Sequence, residues 1–153
     1  MKITEMDINK QAFVFAAMHM LANRFQTLGD KIDPTITNKQ WFVLAAVSKF
    51  TEAPPSIGDI AVLLGTSRQN VKKMAVILER HGFLQLEKDK SDCRVIRLIL
   101  TEQCLGYFKG REAQEGEYLE KIFAGIDGKM LDNLHQSISK LLENTDSLLG
   151  GQQ

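Results

Sequence analysis

The sequence has little of what defines several whole classes of protein. Its 153 residues include two cysteines, Cys93 and Cys104, three prolines and one tryptophan. Two cysteines make no disulfide framework in a chain of this length, so a packed core must hold the fold and a reducing cytoplasm is the expected compartment. No apolar run approaches the ~18 residues of a membrane-spanning helix. The opening "MKITEMDINK" carries acids where a secretory signal needs an apolar stretch. A glycine-rich phosphate loop, a nucleophile elbow, a metal-binding histidine pair and a convincing catalytic triad are all missing, which argues against an enzyme. His19, His81 and His135 stand far apart in the sequence without ligand spacing, so neither metal nor cofactor is expected. Net charge is missing too, with nineteen basic residues against nineteen acidic ones, and this balance alone speaks mildly against nucleic acid.

What is present is an ordinary globular composition, 44% apolar and 25% charged, with its charge unevenly spread. Between residues 67 and 97 lie eight basic groups (Arg68, Lys72, Lys73, Arg80, Lys88, Lys90, Arg94, Arg97) and four acidic ones (Glu79, Glu87, Asp89, Asp92). The rest of the chain carries the compensating negative excess. A basic module between acidic ends is the pattern of an electrostatic footprint confined to one element.

Hydrophobic periodicity divides the chain into elements. Val14, Met18, Leu21, Phe25 and Leu28 form one stripe of a helix over residues 7–29, widened by Phe13, Phe15, Ala16 and Ala17. Pro34 interrupts it. Thr37 with Gln40 forms a capping box that opens a second helix. After the Pro-rich "TEAPPS", Ser56 with Asp59 caps a short helix ending at Gly65. Thr66 with Gln69 reads as a third capping box, opening a helix whose buried face is Val71, Met74, Ala75 and Leu78 and whose C′ residue is Gly82. "FLQLEK" and "RVIRLIL" alternate as strands around the polar loop "DKSDC". Helical sequence resumes at Thr101 and runs to about residue 124, weakened by Gly106, Gly110 and Gly116, and a last helix covers roughly 128–149. The expected class is mostly α with a small β-hairpin.

A helix–turn–helix needs a small residue where its helices cross, a glycine in the turn and a branched apolar anchor in the second helix. Ala61, Gly65 and Val71 supply these, with Ile60, Leu64 and Met74 at core positions. With the hairpin beside it, the unit reads as a winged helix. "TNKQWFVLAAV", "SIGDIAVLLGTSRQNVKKMAVILERHGFL" and "KDKSDCRVIRLILT", in that order, resemble the MarR family of bacterial transcription regulators from about Thr37 to Thr101. Asp92-x-Arg94 followed by strand residues and "LT" is the most family-specific part. The terminal helices fit by position and pattern. Two departures stand out: the glycine-rich segment after Thr101, and Cys93 at a place where the family more often has a polar or basic residue.

The resemblance implies a helix from Ser67 in the major groove and a hairpin wing reaching the minor groove. The residue chemistry agrees. Ser67 and the free N–H groups at a helix N-terminus suit a phosphate. Arg68, Gln69 and Asn70 are first-turn side chains of the kind that read base edges, while Lys72, Lys73, Lys88 and Lys90 suit phosphates. Arg94 at the wing tip suits a narrow minor groove, with Asp92 orienting its guanidinium. A solvated helix face would also be polar, but Arg68 and Lys72 at i, i+4 repel each other slightly and would add nothing to it.

The expected organisation is an N-terminal dimerisation helix (1–34), a winged helix–turn–helix (35–101) and C-terminal helices completing the dimerisation domain (102–153). Leu131, Leu134, Ile138, Leu141, Thr145 and Leu148 keep an a/d spacing that fits helix pairing along the whole last helix. The resemblance implies a two-fold homodimer, commonly a repressor, on a palindromic operator with half-sites one turn (~34–36 Å) apart. It also implies release by a small, often aromatic ligand, for which Phe15, Met18, His19 and Trp41 are the candidates, though such a stripe is ordinarily core. Cys93, in a basic loop, offers oxidation as an alternative control, and Cys104 is expected to be inert core. The remaining alternative is a winged helix turned to protein interaction, which would tend to lose the positive charge that Arg68, Lys72, Lys73 and Arg94 keep.

Overall fold

The computed structural model describes residues 10–150. Their elements run α1 (Lys10–Ile32), α2 (Asn38–Val47), α3 (Ile57–Leu63), α4 (Arg68–Arg80), β1 (Leu84–Lys88), β2 (Ile96–Leu100), α5 (Glu102–Ile122) and α6 (Gly128–Gly150). The order is the expected one, mostly helical with a single hairpin. Positions 7–9, read as the start of the first helix, lie outside the described residues. That helix continues past residue 29 to Ile32, because the restriction that Pro34 imposes reaches back only to Asp33. At its end Gly29 lies so close to Asn38 that an added Cβ would fall 2.4 Å from the Asn38 side chain. α1 thereby seats on the start of α2.

Two of the three capping boxes form. The Thr37 hydroxyl accepts from the Gln40 N–H at 3.2 Å while Gln40 Oε1 accepts from the Thr37 N–H at 2.8 Å. Ser56 and Asp59 do the same for α3. The Thr66–Gln69 box does not form: the N-cap of α4 is Ser67, whose hydroxyl accepts from the Asn70 N–H at 3.2 Å. The cause lies one turn earlier. Gly65 takes φ +61°, and the Thr66 N–H is engaged by the Ala61 carbonyl at 3.0 Å, closing α3 in a Schellman motif. Thr66 therefore belongs to the end of α3, and the chain is first free to begin a helix at Ser67.

Gly82, at φ +78°, closes α4 by the same device, with the Phe83 N–H on the Leu78 carbonyl at 2.9 Å. The chain then turns into β1, which pairs antiparallel with β2 so that Leu84 faces Leu100 and Leu86 faces Leu98. The segment before α3 is tied to β2 by an isolated bridge: Ser56 bridges Arg97, and the Leu98 N–H donates to the Pro55 carbonyl at 2.9 Å. Arg94 and Val95, read as strand, sit in the loop instead. The Asp89 N–H donates to the Val95 carbonyl and the Val95 N–H to the Asp92 carbonyl, both at 2.9 Å, folding them into the tip.

Val43, Leu44, Ile60, Val71, Leu78, Leu98 and Cys104 are fully buried and bring α2, α3, α4, β2 and the start of α5 into one core. Burial pushes the Cys104 thiol up to about 11, so it stays protonated and unreactive at neutral pH. Thr101 locks the hairpin to both neighbours, donating to the Gly82 carbonyl at 2.6 Å and accepting from the Cys104 N–H at 3.2 Å. The chain divides into two compact units at Phe108, within α5. The second unit contains the rest of α5 and α6, and no residue of α6 is buried. No helix among the described residues is long and apolar enough to cross a membrane.

Candidate nucleic-acid interface

α4 is sharply two-faced. Val71, Ala75 and Leu78 are wholly inaccessible to solvent, and they fix the rotation of the helix about its axis. Ser67, Arg68, Gln69, Asn70, Lys72 and Lys73 are all exposed around its first turn and a half. The buried stripe thus turns a cluster of cationic and amide side chains, together with the helix N-terminus, toward solvent. That is the combination that holds phosphates and reads base edges.

Three of these side chains have local duties, and Asn70 Nδ2 is one, donating to Thr66 Oγ1 at 3.4 Å. The Ser67 hydroxyl oxygen caps the helix, which leaves only its proton for an outside acceptor. The Arg68 guanidinium leans back over α3: a Cβ on Gly58 would lie 3.3 Å from Arg68 Nε, and glycine there leaves it room. Arg68 also adds to the field at Asp59. Asp59's carboxyl is held below the usual range chiefly by the Ser56 N–H, then by the Ser56 hydroxyl, with Arg97 and Arg68 contributing beyond the opposing effect of burial.

The second cluster is the wing tip. Lys88, Lys90, Asp92, Cys93 and Arg94 are all exposed. Arg94 has 92% of its side chain in solvent, with Nε 3.9 Å from Asp92 Oδ1. A pair that long and that wet is worth ~0–1 kcal/mol, so it holds the guanidinium only loosely. The firm bond of Asp92 is to backbone, where Oδ1 accepts the Arg94 N–H at 3.0 Å. Asp92 therefore shapes the turn that carries Arg94 and keeps a loose ion pair with the guanidinium that it was expected to orient.

Sequence reasoning counted Asp89 and Arg97 only as charges, yet they are the best-connected pair of the wing. Arg97 Nε donates to Asp89 Oδ2 at 2.7 Å, and Asp89 Oδ1 accepts from Ser91 N–H, Ser91 Oγ and Asp92 N–H at 2.9, 2.5 and 3.2 Å. These bonds, the Ser91 hydroxyl and Arg97 first, hold the Asp89 carboxyl far below the ordinary carboxylate range. The Asp-x-Ser-Asp spacing is an Asx-turn signal and was visible in the sequence; the partner eight residues on was not.

The ligand candidates lie on the first two helices. Phe15, 69% exposed, meets His19 on α1 with ring centroids 5.2 Å apart. Met18 is half-buried. Trp41, on α2, packs against the core with its ring edge-on to Phe42 at 5.1 Å. A separate groove, lined by Val47, Phe50, Pro54, Pro55, Ile99 and Leu105, includes none of the four. Among the described residues, no three of His, Cys, Asp and Glu come together as a metal site.

Comparison with known proteins places this geometry in context. No family model matches the chain. It is 23% identical to the transcriptional repressor MprA of Escherichia coli K12 over 133 residues, spanning 86% of this chain and 75% of MprA. It is 32% identical to the transcriptional activatory protein BadR of Rhodopseudomonas palustris over 92 residues, 58% of this chain and 53% of BadR. Among solved structures, a MarR/EmrR family regulator from Acinetobacter superposes with a TM-score of 0.78 at 20% identity, covering 92% of this chain and 99% of that one. Staphylococcus aureus MepR, solved as a complex with DNA, does so with a TM-score of 0.74 at 18% identity over 84% of this chain and 96% of MepR. The chain has the winged helix–turn–helix fold of the MarR-family transcription regulators and is similar to curated regulators of transcription over most of its length.

Proposed function

We propose that this protein is a sequence-specific, dimeric transcription regulator of the MarR type, acting in the cytoplasm as a repressor. The observation that carries the reading is the division of α4: a stripe with no solvent exposure at Val71, Ala75 and Leu78 opposite an exposed Arg68, Gln69, Asn70, Lys72 and Lys73. In this reading the first turn of α4 enters the major groove, with Arg68 and Gln69 at base edges and Lys72 and Lys73 on phosphates. Arg94, which its own fold leaves almost entirely in solvent, enters the flanking minor groove, with Lys88 and Lys90 on the adjoining backbone. Repression is chosen over activation because the relative that aligns over most of its own length is a repressor.

The dimer follows from surface chemistry. α6 leaves Leu131, Leu134, Ile138, Leu141 and Leu148 between 39% and 74% exposed, and α1 leaves Val14, Leu21, Phe25 and Leu28 exposed as well. Apolar rows of that length are buried when the same helices of a second copy pack against them, and two-fold symmetry then requires a palindromic operator. The Phe15–His19 pair, with Met18 and Trp41, is the proposed site for a small aromatic effector. A second reading concerns control rather than function. Cys93 is exposed in the wing loop next to Arg94, so its oxidation would act on the tip that enters the minor groove.

The test is a fluorescence titration of the protein against its own upstream duplex and a scrambled duplex. Promoter-selective binding is expected, with Arg68→Ala losing ~1–3 kcal/mol of selectivity and Lys73→Ala weakening both duplexes alike. Equal affinity for the two duplexes would reject sequence-specific readout. Aromatic carboxylates at saturation should lower operator affinity and raise the melting temperature; if neither moves, that ligand class is excluded. Peroxide should weaken binding of the native protein and not of Cys93→Ser if the cysteine is the switch.

A further inference from the structure

Arg94 must be presented to DNA from somewhere, yet its own guanidinium is held by almost nothing. The fixed point lies three residues further along. Arg97 is partly buried, with 35% of its side chain exposed against 92% for Arg94. Across the hairpin its direct neighbour is Glu87, but Glu87 takes a bond from Gln85 Nε2 at 2.8 Å instead. Arg97 reaches in two other directions. Its Nε holds Asp89 at the root of the loop at 2.7 Å, and its Nη1 lies 3.3 Å from the Pro54 carbonyl and 3.8 Å from Asp59 Oδ2, at the cap of α3. Asp89 in turn holds Ser91 and Asp92, and Asp92 holds the Arg94 N–H. A continuous line of hydrogen bonds therefore runs from the Pro54 carbonyl, just before α3, to the tip of the wing, with a looser ion pair from Arg97 to Asp59 at the α3 cap.

We propose that Arg97 is the positioning residue of the wing, fixing the β1–β2 loop to the α3 cap so that Arg94 is delivered at a set place, without Arg97 touching DNA itself. Its bearing on operator choice rests on the DNA-binding reading above; its bearing on the loop does not. Only a planar fork does this work: a guanidinium offers donors in two directions at fixed angles, whereas a lysine ammonium is a single point. A side chain committed to Asp89, Pro54 and Asp59 has few donors left for a phosphate.

Two readouts separate these roles. The first needs no DNA: amide exchange is followed by NMR in Arg97→Met, which keeps an unbranched stem and removes the fork, and in Arg97→Lys. Exchange of the Ser91, Asp92 and Val95 amides should rise on the order of tenfold in Arg97→Met and less in Arg97→Lys, with Val71 to Leu78 unchanged. Unchanged loop exchange overturns the proposal. If Arg97→Met does not fold, the Arg97→Lys comparison decides alone. The second is a double-mutant cycle on the operator. Arg97→Met should cost about three- to tenfold in affinity when Arg94 is present and close to nothing in an Arg94→Ala background. A cost that persists in full without Arg94, with a flatter salt slope, would make Arg97 a phosphate contact and overturn the positioning role. Should the native protein bind no duplex at all, the DNA reading falls, and loop exchange still decides whether Arg97 fixes the wing.

Discussion

α4 and α6 are both strongly amphipathic, and they end in opposite situations. α4 hides Val71, Ala75 and Leu78 completely within its own chain, with Met74 half-buried beside them, and shows solvent a polar, cationic face. α6 has a longer apolar stripe and hides none of it; Leu148 remains 74% exposed. The same 3.6-residue periodicity thus carries two messages. Where the stripe is satisfied inside the chain, the information lies on the other face, in which polar residues were chosen. Where it is not, the stripe itself is the information, because an exposed apolar row of that length marks an interaction surface.

That contrast can be broken from either side. The largest effect is expected at α6: Leu134→Asp with Ile138→Asp places two charges in the proposed interface and should convert a dimer into a monomer at micromolar concentration, read by analytical ultracentrifugation, with helix content retained. If the native chain sediments as a monomer, the stripe has another partner. Next comes the hidden face of α4. Leu78→Ala should lower stability by about 2–5 kcal/mol in urea unfolding, since the side chain is fully enclosed and the site has little room to collapse. A smaller loss, ~1 kcal/mol, is expected for Ser67→Ala, which removes the N-cap acceptor of Asn70 N–H; Thr66→Ala should cost less than Ser67→Ala, because Thr66 is not the cap.

The smallest effect concerns pH. Asp89 is depressed by its bonds to Ser91 and Arg97, so its contribution is present above the ordinary carboxylate pKa and is lost as pH falls. The Ser91 and Asp92 amide resonances should therefore hold steady from neutral pH to about 5 and move only below about 4. Movement near pH 6 would point to a different group.

How much of this was legible in the sequence depends on the range of the interaction. The order of elements, the Thr37 and Ser56 boxes, the buried face of α4 and the glycine at its C-terminus are all set within a few residues, where spacing and capping chemistry speak directly. The reading of Thr66 as a cap failed for a related reason: two local motifs competed for one residue, and the Schellman closure at Gly65 took its N–H first. Asp92 was expected to orient the Arg94 guanidinium; its Oδ1 lies 3.9 Å from Nε and is held more closely, at 3.0 Å, by the Arg94 N–H. The Arg97 bonds to Asp59 and Pro54 were out of reach, because about forty residues separate the partners and only the fold brings them together. In the interface, residue types were readable one by one, while the resting place of Arg68 over Gly58 was not.

In the proposed mode of action the exposed face of α4 and the tip of the wing bind DNA as parts of a symmetric pair. The most direct measurement is the stoichiometry and salt dependence of binding to the protein's own upstream duplex. Two chains per duplex are expected, with an affinity that falls steeply as salt rises, roughly in proportion to the number of phosphates neutralised. No binding at low salt, or a weak association indifferent to salt, would mean that the polar face of α4 is merely solvated and that this winged helix serves a protein partner instead.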